Sequence, residues 1–275
     1  AVVYTWPALA TYPDNYFQVH RRNLLFLGRT LSELNVPFLF IPEELLAEAK
    51  VKDGIFRTAT GSFRRLIVPW ANLMAPAAFA KLAELAKAGV EVVIFGPPAE
   101  STNDGKNVTA EFARLCGIRP IKPADFAAVK PGSGIILDGK NCELCTRKLQ
   151  DNYFSNPRQT YPDHFKIFGL EPTSRAQVVA RAGKTAVGVR QGNVTYLACE
   201  LPHYRDAMAR LAFQPLLAAP PGLLVFEYQR GPERLLTGVG VWSKPVRGVI
   251  TWQNRRITLI GCKFFAASIG PDGKS

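Results

Sequence analysis

The sequence predicts an α/β protein with a mainly parallel sheet, followed by a small antiparallel β domain. Three observations carry that expectation. Residues 64–98 read strand, helix, strand. Residues 1–41 repeat the order. Beyond residue 219 the chain alternates apolar and polar positions with period two.

The 64–98 unit is the most strongly written. Leu66-Ile67-Val68 is a short apolar run stopped by Pro69. Pro76 suits a first helical turn, where a missing N–H costs nothing. Residues 77–88 are rich in Ala, Leu, Lys and Glu, with Phe79, Leu82, Leu85 and Ala86 on one face. Gly89 ends the helix, and residues 90–95 form a β-branched strand closed by Gly96-Pro97-Pro98. A crossover of this length makes two parallel strands.

Before it, residues 1–6 read as a strand ending at Pro7. Phe17, His20, Leu24, Leu27, Leu31 and Leu34 then stripe one face of a helix, and residues 36–41 form a second strand. Two consecutive units of this kind predict a doubly wound sheet of flavodoxin or Rossmann type. Residues 43–49 form a short helix and 50–63 an excursion. A helix over 109–116 ends at Gly117. Residues 118–175 are expected as loops and short strands. Residues 177–182 and 185–190 make a hairpin about Gly183, 194–199 a strand, and 204–217 a helix. A linker at 218–222 leads to the runs LLVFEYQ, LLTGVGVWS, VRGVITWQ and ITLIGCKFF. The domains expected are therefore 1–218 and 219–275. About 50 residues of sheet are too few for an independent core, so the second domain should lean on another body.

The chain has 275 residues, a formal charge of +12 and 20 % charged residues, a globular composition with a basic excess. The basic residues are spread as pairs such as Arg21-Arg22 and Arg255-Arg256, which speaks against a dedicated nucleic-acid surface. Phe226, Tyr228, Trp242 and Trp252 lie near Arg230, Arg247, Arg255 and Arg256 in sequence, the one place where a polyanion reader could be sought. No apolar run approaches ~18 residues, so no membrane span is expected. The compartment is left open.

Ligands of open parallel sheets bind beyond the carboxyl ends of the strands. Those ends carry Trp6, Pro42, Trp70-Ala71-Asn72 and Gly96-Pro97-Pro98. Prolines remove the N–H donors a phosphate cradle needs, and neither GxGxxG nor GxxxxGK[ST] occurs, so no nucleotide cofactor is expected. Trp6, Trp70 and Asn72 are the ligand-contact candidates, because aromatic faces at a sheet rim stack on sugar rings. Cys199, Glu200 and His203 are the catalytic candidates by residue type, although no oxyanion turn follows the thiol. Cys142 and Cys145 form the one CxxC; without a second pair it supplies two of the four ligands of a structural zinc site.

Several segments together resemble a known family. They are residues 16–41, FRRLIVPWANLMAPAAFAKLAELAKAGVEVVIFGPP, EFARLCGI and VVARAGKTAVGVRQGNVTYLACELP. Over residues 1–205 the chain resembles the class I glutamine-amidotransferase-like domain in the middle of family 42 β-galactosidases and related glycoside hydrolases. In true amidotransferases a nucleophilic Cys follows the strand matching 90–95, where this chain has Gly96-Pro97. The family's later Glu and His would fall at Glu200 and His203. The resemblance thus implies a non-catalytic domain that helps subunits associate. It also implies a catalytic (β/α)8 barrel before it and a small β domain after it, the latter matched by 220–275. Expected partners are a second copy, a barrel domain or carbohydrate. Two further readings stand beside this one: a small hydrolase with its site at the strand ends, and a basic polyanion binder.

Overall fold

The computed structural model describes residues 1–4, 24, 27–28, 30–32, 34–120, 135–142, 168–199, 211, 213, 219–220, 223–240, 245–252 and 254–269. The chain parts into two compact units, residues 1–26 with 39–206, and residues 27–38 with 207–275.

The first unit is built on a nine-stranded sheet. Strands β1 (Val2–Tyr4), β2 (Phe40–Pro42), β6 (Arg65–Val68), β7 (Glu91–Phe95) and β12 (Val194–Leu197) are mutually parallel, in the order β2–β1–β6–β7–β12. The sheet then continues through β11 (Thr185–Gln191), β10 (Gln177–Ala182), β8 (Ile135–Leu137) and β9 (Lys140–Cys142) by antiparallel pairing. The expectation of a mainly parallel sheet is corrected accordingly: the sheet is mixed, half its pairings parallel and half antiparallel. The hairpin at 177–191 was legible in sequence, but its attachment to β12 on the sheet's own edge was not.

The parallel half follows the expected physics. Leu66, Ile67 and Val68 of β6 and Val92–Phe95 of β7 are buried, as continuous apolar strands of a covered sheet should be. Helix α2 (Pro76–Lys87) carries Pro76 in its first turn and buries Ala78, Phe79, Leu82 and Leu85. Gly89 follows it in the left-handed region, at φ 90°. The excursion at 50–63 is a three-stranded meander of β3 (Lys50–Lys52), β4 (Ile55–Thr58) and β5 (Gly61–Phe63). Its Phe56 is fully buried, with its ring 5.2 Å from that of Phe63, and its Gly54 N–H donates to Ala88 O at the end of α2. The meander therefore closes the helix's C-terminus. The short helix α1 (Glu43–Ala47) and the helix α3 (Thr109–Cys116), ended by Gly117 at φ 73°, lie where the sequence puts them. Of the helix expected at 17–34, residues 24, 27, 28, 30–32 and 34 are described; all are helical except Leu34, which lies in a turn. Most of the helix expected at 204–217 lies outside the described residues.

The second unit contains two sheets. One is β13 (Leu223–Arg230), β14 (Glu233–Gly240) and β17 (Phe264–Ile269); the other is β15 (Val246–Trp252) with β16 (Arg255–Cys262). Leu223, Val225 and Leu236 of the first sheet pack with Val246, Ile250, Trp252 and Leu259 of the second. The run ITLIGCKFF, read as one strand in sequence, is two strands in two sheets. Gly261, at φ 69°, marks the corner just before the break at Lys263. Asn35 Oδ1 accepts the Val225 N–H at 2.9 Å, so a side chain of the 27–38 segment closes part of the outer edge of β13. The small sheet domain thus draws on an N-terminal segment to complete its unit.

Gly238 in β14 lies directly beneath the Phe265 ring: a Cβ there would stand 2.0 Å from a ring carbon. Gly238→Ala should lower stability by about 1–3 kcal/mol through forced repacking. Urea unfolding of the variant, with unchanged m-value, measures it; an unchanged midpoint would contradict this packing.

Candidate functional site

The carboxyl ends of β6, β7 and β12 meet at the place where an open α/β sheet binds its ligands. Gly96 sits at the crest, in the left-handed region at φ 90°. Its N–H is shared between Leu197 O and Cys199 O, each 3.2 Å away. Its carbonyl accepts the Tyr196 hydroxyl at 2.9 Å. A Cβ on Gly96 would lie 3.4 Å from Pro69 O and 3.5 Å from the Trp70 ring. Both backbone polar groups of Gly96 are thus engaged, and Trp70 lies against the position where a side chain would emerge.

Tyr196 is fully buried, and its ring meets Phe112 of α3 edge-on at a centroid distance of 5.0 Å. Burial pushes its hydroxyl well above the usual phenol range, with the nearby Cys116 and Cys199 adding to the effect. Burial likewise raises the Cys116 thiol well above its usual range. A neutral hydroxyl held this way is a donor to Gly96, not a base.

The loops after β6 and β7 are laced together. Asn72 Oδ1 accepts the N–H groups of Glu100 and Ser101 at 3.0 and 3.1 Å. Leu73 N–H donates to Ser101 O and Asn103 N–H to Met74 O. Glu43, at the start of α1, is 2 % exposed and accepts the Ala75 N–H at 2.7 Å. Burial raises its carboxyl above the usual range, the Ala75 bond opposes this, and Glu44 adds to it. Glu100 is also raised by burial.

The candidates from sequence fall out as follows. Trp70 is 3 % exposed, so this chain presents no open ring face there for a sugar. Asn72 is 8 % exposed and its oxygen is spent on two backbone donors, which is loop architecture. Cys199 is 2 % exposed, just past the end of β12. Trp6, Glu200, His203 and Cys145 lie outside the described residues, as does the side chain of Cys142. Among the described residues no group of three or more His, Cys, Asp or Glu could hold a metal. No helix among them is long and apolar enough to cross a membrane. The aromatic and basic residues considered for a polyanion surface are divided between the two sheets. Phe226, Tyr228 and Arg230 share strand β13, whereas Arg247, Arg255 and Arg256 belong to the other sheet, Trp252 is buried with its Nε1 donating to Glu227, and Trp242 lies outside the described residues. The roles of Tyr196 and Glu43 were not foreseen: both depend on partners a hundred and 32 residues distant in the chain.

Solved structures share this architecture over nearly the whole chain. Gan42B, a GH42 β-galactosidase from G. stearothermophilus, aligns with a TM-score of 0.60 at 14 % identity, over 97 % of this chain and 39 % of its own. The β-galactosidase from Bacillus circulans sp. alkalophilus gives 0.57 at 16 % identity, over 99 % and 40 %. That from Rahnella sp. R3 gives 0.58 at 10 % identity, over 98 % and 40 %. The chain has the fold of one part of these enzymes. At this level of identity the likeness is one of fold, and the chain spans about two fifths of the length of the structures it matches. No family model matches the chain, and no curated protein matches it in sequence.

The Glu43 clamp makes a signed prediction. Because its folded carboxyl holds a proton more tightly than the unfolded one, its contribution is fully present at low pH. It is lost as pH rises from the ordinary glutamate range through the raised value. Glu43→Gln keeps an acceptor for Ala75 and removes the titration. It should melt at or above the wild type at pH 7 and match it near pH 4. Glu43→Ala strands the Ala75 N–H and should cost about 1–3 kcal/mol at either pH. Thermal melts at the two pH values measure this; a Gln variant weaker than wild type only at neutral pH would contradict it.

Proposed function

We propose that the chain is a non-catalytic, amidotransferase-like module associated with a glycoside hydrolase, serving assembly or glycan contact beside a catalytic barrel that is not part of these residues. In this reading residues 1–218 are the α/β domain and 219–275 the small β domain.

The observation that carries it is the closed crest at Gly96. An amidase of this fold needs a nucleophile on the turn after the fourth parallel strand, with free N–H groups beside it for the oxyanion. Here the residue on that turn has no side chain. Its N–H is directed back to the carbonyls of 197 and 199, and prolines follow at 97 and 98, removing two more donors. The order of the parallel strands supports the flavodoxin-like part of the reading. Counted among themselves they run 2-1-3-4-5, an order found in doubly wound sheets. The partial coverage of the GH42 structures supports the association with a larger glycosidase.

Purified chain should show no turnover of nitrophenyl β-galactoside or of glutamine above a buffer control. Saturable turnover of either, abolished by Cys199→Ser or His203→Ala, would overturn the reading and favour the small hydrolase.

A further inference from the structure

The outer face of the β13–β14–β17 sheet has the wrong composition for a surface that meets water. Residues paired across an antiparallel sheet share a face. The register places Leu224, Val239 and Phe264 in one row, Phe226, Thr237 and Ala266 in the next, and Tyr228, Leu235 and Ser268 in the third. None of these nine residues is charged, in a chain where 20 % are; the charged pair on this face, Arg230 with Glu233, stands in the end row. Phe264 is 71 % exposed, Tyr228 55 %, Phe226 45 %, Leu235 39 % and Val239 38 %. The opposite side of the same sheet already holds the buried Leu223, Val225 and Leu236. A sheet with one face on a core normally turns a polar face outward. The companion sheet of this unit comes closer to doing so, with Arg247, Thr251, Arg256 and Thr258 among its outward positions.

We propose that this face is a self-association surface: a second copy of the chain packs its own β13–β14–β17 face against it. Charge bears on which face two copies can share. Each copy carries a formal +12, so most two-copy contacts bring like charges together. The three central rows of this face can meet their copies without close like charges, the Arg230–Glu233 row lying at the end, and interface centres are depleted of charge. Area sets the strength. The five exposed side chains offer roughly 400–500 Å² per copy, so a pair buries about 1,000 Å², the lower bound of a specific interface. The contact is therefore reversible. Two such sheets stack at about 10 Å, as sandwich sheets do. A glycan fits less well. Its hydroxyls would find only the hydroxyls of Thr237, Ser268 and Tyr228, with Leu224, Leu235 and Val239 set among the aromatics. The inference rests on the assembly part of the proposed function, whose surface and partner it names, and stands apart from the non-catalytic part, since an active enzyme could carry the same face.

Sedimentation of the full chain from about 1 to about 200 µM tests it. Wild type should shift from monomer to dimer across that range, and more readily at high salt, which screens the net charge. The double variant Phe264→Lys, Tyr228→Lys should stay monomeric throughout with an unchanged melting curve. Ile260→Lys, which changes an exposed apolar residue on the other sheet, should dimerise as wild type does. A wild type that is monomeric at every concentration overturns the proposal and leaves the face to a different protein. Equal association of wild type and the double variant overturns it too, as does loss of association in Ile260→Lys. Binding of insoluble galactan by a monomer, lost in the double variant, would reassign the face to carbohydrate.

Discussion

The peptide of Gly96 is held on both sides, and much of the first unit is arranged around that fact. Its N–H reaches two carbonyls past the end of β12, and its carbonyl receives the Tyr196 hydroxyl from within β12. Tyr196 is fixed in turn by Phe112 of α3. A buried tyrosine must find an acceptor or bear a desolvation cost of a few kcal/mol, so the Gly96 carbonyl is committed. The same bonds that join β7 to β12 therefore occupy the groups a strand-end active site would use.

The loops above the crest extend the pattern. Asn72 ties the β6 loop to residues 100 and 101, and Glu43 ties it to α1. In enzymes of open α/β architecture these loops are the usual carriers of ligand contacts, because their polar groups point away from the sheet. In this chain the described polar groups bond to one another. Among the described residues, the outer face of the small sheet is a place where the pattern of burial departs from that of a free-standing domain.

Much of the fold was legible because its signals are local. The β6–α2–β7 unit announces itself through Pro76, the 3.6-residue stripe and Gly89, and the helix at 109–116 through its closing Gly117. Period-two alternation located the C-terminal strands. Other features were not legible, because they are decided by pairing at a distance. Nothing near residue 194 says that β12 joins β7 in parallel while its own hairpin partner extends the sheet in the antiparallel sense. Nothing in ITLIGCKFF says that its two ends enter different sheets. The site was legible by what it lacks: the dipeptide Gly96-Pro97 excludes a nucleophile on the turn. That Trp70 and Asn72 are interior residues could not be read, since a Trp after a strand looks the same in sequence whether its ring faces solvent or a glycine.

Thiol alkylation of the native chain, mapped by mass spectrometry over time, probes the closed crest most directly. Among the described residues Cys199 is the thiol at these strand ends, and Cys262, half-buried in the small sheet domain, is an internal standard. If the crest is sealed, Cys262 reacts first, and Cys199 and the buried Cys116 react only as the chain unfolds. Rapid modification of Cys199 in the folded chain, faster than that of Cys262 at neutral pH, would mean an open and activated sulfur at the sheet's ligand end and would contradict an inert module.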